Sequence, residues 1–201
     1  MLEEHYKDVH YYLNFSTPIE LLVAAILSAQ TKDTKVNAIT PRLFGKYKTA
    51  KDYADAKPAE LMGYVGGVLY AKNKVANIIG ACKEIDEKYR GKVPDRMEDL
   101  VELPGIGRKT ANTILINAYG KVEGIPVDTW VIKLSYRIGL SKAKNADSIE
   151  KDLEAKISKQ YWKNIAYVLK AHGKEVCGAV PKCSACPIKA HCPKNGVTES
   201  A

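Results

Sequence analysis

Apolar residues recur along this chain at three- and four-residue spacing, and no stretch alternates apolar with polar long enough for a convincing strand. Thr17-Pro18-Ile19-Glu20 predicts a helix start, with a capping threonine and proline at the first position. Leu21 to Ala29 continues almost wholly apolar, as a central buried helix does. A second helix is expected from Asp33 to about Phe44, stopped by Gly45, with shorter ones around 49–56 and 58–64. Val75, Ile78, Ile79, Cys82 and Ile85 mark an amphipathic helix from about Lys72 to Tyr89, ended by Gly91. A short helix at 95–102 leads into Leu103-Pro104-Gly105-Ile106-Gly107, and another follows to about Tyr119. After the loop Gly120–Val127 a helix starts at Asp128, and two more are expected near 147–157 and 161–172. The fold class is all-α, with no internal repeat and no low-complexity linker.

Two helices joined by Pro104-Gly105-Ile106-Gly107 make a tight hairpin. Glycines there permit backbone conformations closed to other residues and let another chain approach closely. Backbone N–H groups opening the second helix can hold a phosphate; the bland alternative is an ordinary turn between packed helices. Arg108 and Lys109 follow in the first turn, where a cation opposes the helix dipole by roughly 0.3–1 kcal/mol. That field and neighbouring Arg108 would lower the lysine pKa and free its amine as a nucleophile. A phosphate-gripping loop directly before such a lysine suits chemistry on a nucleic-acid sugar.

Composition agrees without deciding. At 201 residues the chain can bury a substantial core, and 46% hydrophobic with 27% charged residues is ordinary globular usage. The formal charge of +8 and a pI near 9.1 suit a polyanionic partner. No run of about 18 apolar residues suggests a membrane span, and the N-terminal residues lack a signal-peptide core. The expectation is an intracellular protein, in cytoplasm and nucleoid or in a nucleus.

Cys82 stands alone in a helical pattern and reads as a small buried apolar residue. Cys177, Cys183, Cys186 and Cys192 fall in the pattern Cys-x5-Cys-x2-Cys-x5-Cys. In a reducing compartment such a cluster reads as a metal site before disulfides. Spacing leaves tetrahedral zinc and a 4Fe–4S cluster both open.

The run from Leu103 to Asn112 resembles the hairpin of the endonuclease III family of DNA glycosylases with AP-lyase activity. The resemblance extends from about residue 17 to 192 and implies a helix-hairpin-helix glycosylase fold. Two helical domains with a central cleft are expected: 12–122 as a bundle, and 1–11 with 123–201 as a discontinuous domain. In that family the lysine matching Lys109 is the catalytic nucleophile, and Val127-Asp128-Thr129 matches the segment with the catalytic aspartate. Asp128 also reads as a helix N-cap, and the two roles are compatible.

The family's C-terminal cysteines bind a 4Fe–4S cluster, so the resemblance implies Cys177, Cys183, Cys186 and Cys192 as its ligands. The family's first gap is usually six residues; here it is five. Leu27 to Asp33 matches the segment whose glutamine enters the space vacated by a flipped nucleotide, a role Gln30 inherits. Asp33 matches too, or merely caps the following helix. Tyr70 is expected either as a wedge at the lesion or as core packing. Trp130 stands where many members have histidine. Gly105, Gly107 and Arg108 are expected at the phosphate backbone, as is Lys182 unless it is a solvated loop lysine.

The activity implied is removal of oxidised or ring-saturated pyrimidines from double-stranded DNA, by a monomer, with cleavage of the abasic site through a lysine Schiff base. A mismatch thymine or uracil glycosylase on the same scaffold is the nearest alternative, though such enzymes typically lack the lysine. From another class, a non-catalytic DNA-binding protein with a zinc site keeps the basic charge and the Gly-x-Gly loop. It gives no reason for Lys109 and Asp128 together.

Overall fold

The computed structural model describes residues 1–201 and is helical, with no strand, so the all-α expectation holds. In chain order the helices are α1 (Leu2–His5), α2 (Pro18–Ser28), α3 (Asp33–Lys46), α4 (Ala50–Ala54), α5 (Pro58–Val65), α6 (Ala71–Tyr89), α7 (Met97–Glu102), α8 (Arg108–Tyr119), α9 (Thr129–Arg137), α10 (Ala146–Lys156) and α11 (Trp162–Glu175). The chain divides into two compact units, Tyr12–Lys121 and a discontinuous one of Met1–Tyr11 with Val122–Ala201. No helix is long and apolar enough to cross a membrane.

In the first unit α2 is the core. Thr17 Oγ1 accepts the Glu20 amide at 3.3 Å, the Glu20 carboxylate accepts the Ser16 amide at 2.6 Å, and Pro18 needs no amide partner. Every residue from Leu21 to Leu27 is buried, because α2 packs against α3, α6 and α8. Burying each large aliphatic side chain stabilises the fold by roughly 1.5–3 kcal/mol. Around it, α6 buries Val75, Ile78, Ala81, Cys82 and Ile85 at helical spacing against α2, α4 and α5. It ends in two left-handed residues, Arg90 and Gly91, whose amide at Gly91 bonds back to Ile85 O at 3.0 Å. Helix α8 stops at left-handed Gly120, with Lys121 N bonded to Leu115 O and Gly120 N to Ile116 O, the paired bonds of a Schellman motif.

Gly45 does not stop the second helix. Nothing demands a left-handed residue there, and α3 continues to Lys46, ending where Tyr47 turns extended and buries its ring. Tyr47 stacks on the fully buried Tyr53 with centroids 5.0 Å apart, so tertiary packing sets the boundary. Asp33 is not the cap of α3 either: Lys32 holds that position, and Asp33 is the first helical residue.

In the second unit α9 packs against α10 and α11, and α1 against α11. Asn145 caps α10 by accepting the Ser148 amide at 2.8 Å. Gly173 of α11 faces Trp130: a Cβ there would lie 2.8 Å from Trp130 Cζ3 and 3.0 Å from Leu134 Cδ2. A residue without a side chain is what lets the indole pack this close to α11.

Candidate active site and cysteine cavity

The hairpin between α7 and α8 is seated on α6. Leu103 and Ile106 are buried, and the Ile106 amide bonds Leu103 O at 3.0 Å. Pro104 rests on Gly80, whose Cβ would sit 3.3 Å from the proline ring. Gly105 has φ +80°, and a Cβ there would come 2.8 Å from Asn77 Nδ2. Both conformation and space therefore require glycine at 105. Gly107 differs from the expectation: its φ is −97°, open to any residue, and nothing lies within 4 Å of a Cβ built on it. That open space leaves room for another molecule to approach the backbone there.

Gly107 is also the N-cap of α8, and no side chain caps this helix. Arg108 and Lys109 lie exposed in the first turn, as expected, and the Thr113 hydroxyl donates to Lys109 O at 2.9 Å, tying that turn to the next. An uncapped helix start behind a glycine loop, with two cations on its rim, can hold an anion and present an amine beside it.

Gln30 and Tyr70 are both exposed and both left-handed, with φ 52° and 56°. Tyr70 is 59% exposed, which overturns core packing for its ring. Between them lies a residue that sequence reasoning missed. Lys74 is 4% exposed, and its ammonium donates to Leu27 O at 2.7 Å, Ala29 O at 2.6 Å and Thr31 Oγ1 at 2.8 Å. Burial pulls its pKa below the ordinary lysine value. A charged residue on the apolar stripe of α6, four before Ile78, was the signal available.

In the second unit Asp128 caps α9. Its Oδ1 accepts the amides of Trp130 and Val131, each at 2.9 Å, so the cap makes no use of Oδ2. The carboxylate is half-buried and held in one orientation.

Cys177, Cys183, Cys186 and Cys192 line a single cavity, with Ile138, Val176, Pro181, Ile188 and Val197 as its apolar wall. No three acidic, histidine or cysteine side chains converge there as ligands of one ion do. Four soft sulfurs around a common space are a donor set that suits a 4Fe–4S cluster or one tetrahedral ion. The five-residue gap closes because Lys182 N bonds Val176 O at 2.9 Å.

Arg137 and Lys133, also missed from sequence, brace this loop. Arg137 donates to the carbonyls of Cys177, Gly178 and Ala179 and lies 3.4 Å from Cys177 Sγ; Lys133 donates to Gly178 O at 2.6 Å. Buried His172 links Tyr6 to the loop, with Nδ1 3.1 Å from the tyrosine oxygen and Nε2 3.6 Å from Cys186 Sγ. Lys182 is exposed beside Cys183. Cys82 is buried within α6 of the other unit, and burial pushes its thiol up to about 12.

Residues 23–159 match the HhH-GPD superfamily base excision DNA repair protein family. The endonuclease III of Synechocystis sp. is 42% identical over 194 residues, 96% of this chain and 89% of its own length. The chain belongs to the endonuclease III family. Bacillus subtilis endonuclease III is 40% identical over 179 residues, covering 88% of this chain and 81% of that one. A solved structure of a trapped endonuclease III–DNA covalent intermediate matches with a TM-score of 0.91 at 36% identity, over 96% of this chain and 91% of that chain. A thermostable thymine-DNA glycosylase, 19% identical with a TM-score of 0.83 over 91% of this chain and 86% of its own, shares the fold alone. The resemblance carried by Leu103–Asn112 is thus borne out across nearly the whole chain, and the endonuclease III family is the frame in which Lys109, Asp128 and the cysteines are to be read.

Proposed function

We propose that this chain is a bifunctional DNA N-glycosylase and AP lyase that removes oxidised or ring-saturated pyrimidines from double-stranded DNA. The observation that carries this reading is the placement of Lys109 in the exposed, uncapped first turn of α8, directly behind a glycine hairpin. Gly105, Gly107 and the opening amides of α8 hold a phosphate, and Arg108 adds charge at the same rim. With the damaged nucleotide extruded, Lys109 Nζ bonds to the sugar C1′ as the C1′–N bond breaks, and the base leaves with that electron pair and takes up a proton. Loss of a proton from the nitrogen and opening of the sugar ring leave an imine. Removal of a C2′ proton then expels the 3′ phosphate oxygen by β-elimination, and water hydrolyses the imine to free Lys109. Asp128, held through Oδ1, offers Oδ2 to the positive charge developing on the sugar and to proton movements at the amine.

Gln30 fills the space the nucleotide leaves, with Tyr70 as a second wedge. Cys177, Cys183, Cys186 and Cys192 would hold a 4Fe–4S cluster, whose role here is to fix the C-terminal loop, and Lys182 beside it reaches a phosphate. Such a cluster supplies electron-transfer chemistry that the lyase steps do not need. Borohydride trapping on duplex DNA containing an abasic site tests the reading, with wild type beside Lys109→Gln. A covalent complex with wild type only supports it. Trapping by both moves the nucleophile to another amine, and trapping by neither, with DNA bound, removes the lyase activity.

A further inference from the structure

The buried ammonium of Lys74 meets three acceptors and has three protons, so its donor capacity is filled. Two of the acceptors are carbonyls at the C-terminal end of α2, where the helix dipole is negative. The third, Thr31 Oγ1, lies beyond Gln30, so Lys74 grips the chain on both sides of that residue. A left-handed glutamine is strained by about 1–3 kcal/mol and persists only where its surroundings hold it; Lys74 and the Thr31 N to Ser28 O bond at 3.0 Å are what hold it. Tyr70, left-handed, is the N-cap of the same helix, and its carbonyl accepts the ordinary first-turn bond from the Lys74 amide at 3.1 Å. Lys74, Asn77 and Gly80 follow at three-residue intervals, so one side of α6 carries this grip and then the seat of the hairpin.

We infer that Lys74 is a positioning residue whose ammonium pins the Gln30 bend as a rigid wedge to α6, the helix that Tyr70 opens and that seats the hairpin bearing Lys109. This rests on the function proposed above. The wedge matters when a stacked nucleotide must be extruded and contributes little when the sugar is already unpaired. Lys74 thereby acts on extrusion and leaves the imine chemistry to Lys109.

The test compares wild type, Lys74→Met, Lys74→Arg, Gln30→Ala and the Lys74→Met/Gln30→Ala pair on two substrates. One is a fully paired duplex carrying dihydrothymine, scored by kcat/KM for base release. The other is an abasic site inside an unpaired bubble, scored by borohydride trapping at saturating enzyme. Lys74→Met is expected to lose on the order of 10- to 100-fold on the paired duplex, as a misplaced group near a reaction does, with less than about threefold change on the bubble. The double variant should be no worse than the worse single, and Lys74→Arg should recover part of the loss. Should Lys74→Met fail to fold, Thr31→Val removes one acceptor and is expected to shift the same ratio in the same direction. Equal loss on both substrates, or full additivity with Gln30→Ala, would mean a purely structural lysine and overturn the inference. Unchanged rates on the duplex would do the same. Absence of trapping by wild type would instead bring down the lyase reading, and the wedge with it.

Discussion

Gly105 and Gly107 show how two identical residues, one position apart, answer to different demands. An alanine at 105 meets both the left-handed penalty of about 1–2 kcal/mol and Asn77, whose Cβ would lie 2.9 Å away. Gly105→Ala is therefore expected to destabilise the protein by more than about 2 kcal/mol, as read by urea unfolding. An alanine at 107 meets open space at an ordinary φ, so its stability loss should stay under about 1 kcal/mol, that of a poorer N-cap. With a phosphate held against that glycine, the Cβ of Gly107→Ala keeps it off the opening amides and weakens binding to an abasic-analogue duplex about tenfold or more, roughly what a hydrogen bond to a charged acceptor contributes. Equal affinity for the two proteins would show that the loop does not contact DNA there. The Gly173–Trp130 pair belongs to the same scale. Gly173→Ala should destabilise by about 1–3 kcal/mol, and a smaller ring in Trp130→His should restore much of that in the double variant, with a coupling visible in thermal melts.

At the scale of elements, helix termini carry most of the chemistry. The start of α9 separates two roles of Asp128, because asparagine caps a helix as well as aspartate but brings no charge. Asp128→Asn should keep its stability within about 0.5 kcal/mol and lose about 10²-fold in base release; a fully active variant would leave the aspartate as a cap only. The end of α8 holds Tyr119, whose hydroxyl donates to Val93 O at 2.5 Å and whose pKa burial pushes up to about 12. The folded state thus keeps a proton that the unfolded chain releases near pH 10. Its stabilisation is whole below pH 10 and declines as pH rises toward 12. Tyr119→Phe should be less stable by about 1 kcal/mol at pH 7 and show a shallower fall in melting temperature between pH 10 and 12 than wild type.

For the whole molecule, the C-terminal loop depends on groups distant in sequence. Arg137 and Lys133 hold the carbonyls after Cys177, and Asn195 N bonds back to Arg137 O at 3.1 Å. With a cluster bound to the four cysteines, the purified protein should absorb near 400 nm and carry about four iron atoms per chain, the content of a [4Fe–4S] centre. Removing the iron should expose residues 177–201 to limited proteolysis while Tyr12–Lys121, with its own core, stays resistant. A single zinc per chain and no visible absorption would contradict the cluster.

Much of this was legible in the chain itself, wherever the physics is local. The cap and proline at Thr17-Pro18, the stripe of α6, the Gly-x-Gly loop and the four-cysteine pattern are short-range signals, and each lies in the element it foretold. The placement of Lys109 in the first turn behind the hairpin and of Asp128 as an N-cap was legible because both are built from neighbours in sequence. Tertiary structure alone decided the rest. Gly45 was overruled by the burial of Tyr47; Tyr70 was sent outward by a left-handed turn; Lys74, Arg137 and Lys133 were recruited to carbonyls 40 or more positions away. A lone lysine or arginine carries no local mark of which distant carbonyl will desolvate beside it. That choice is made only when packing removes water from both.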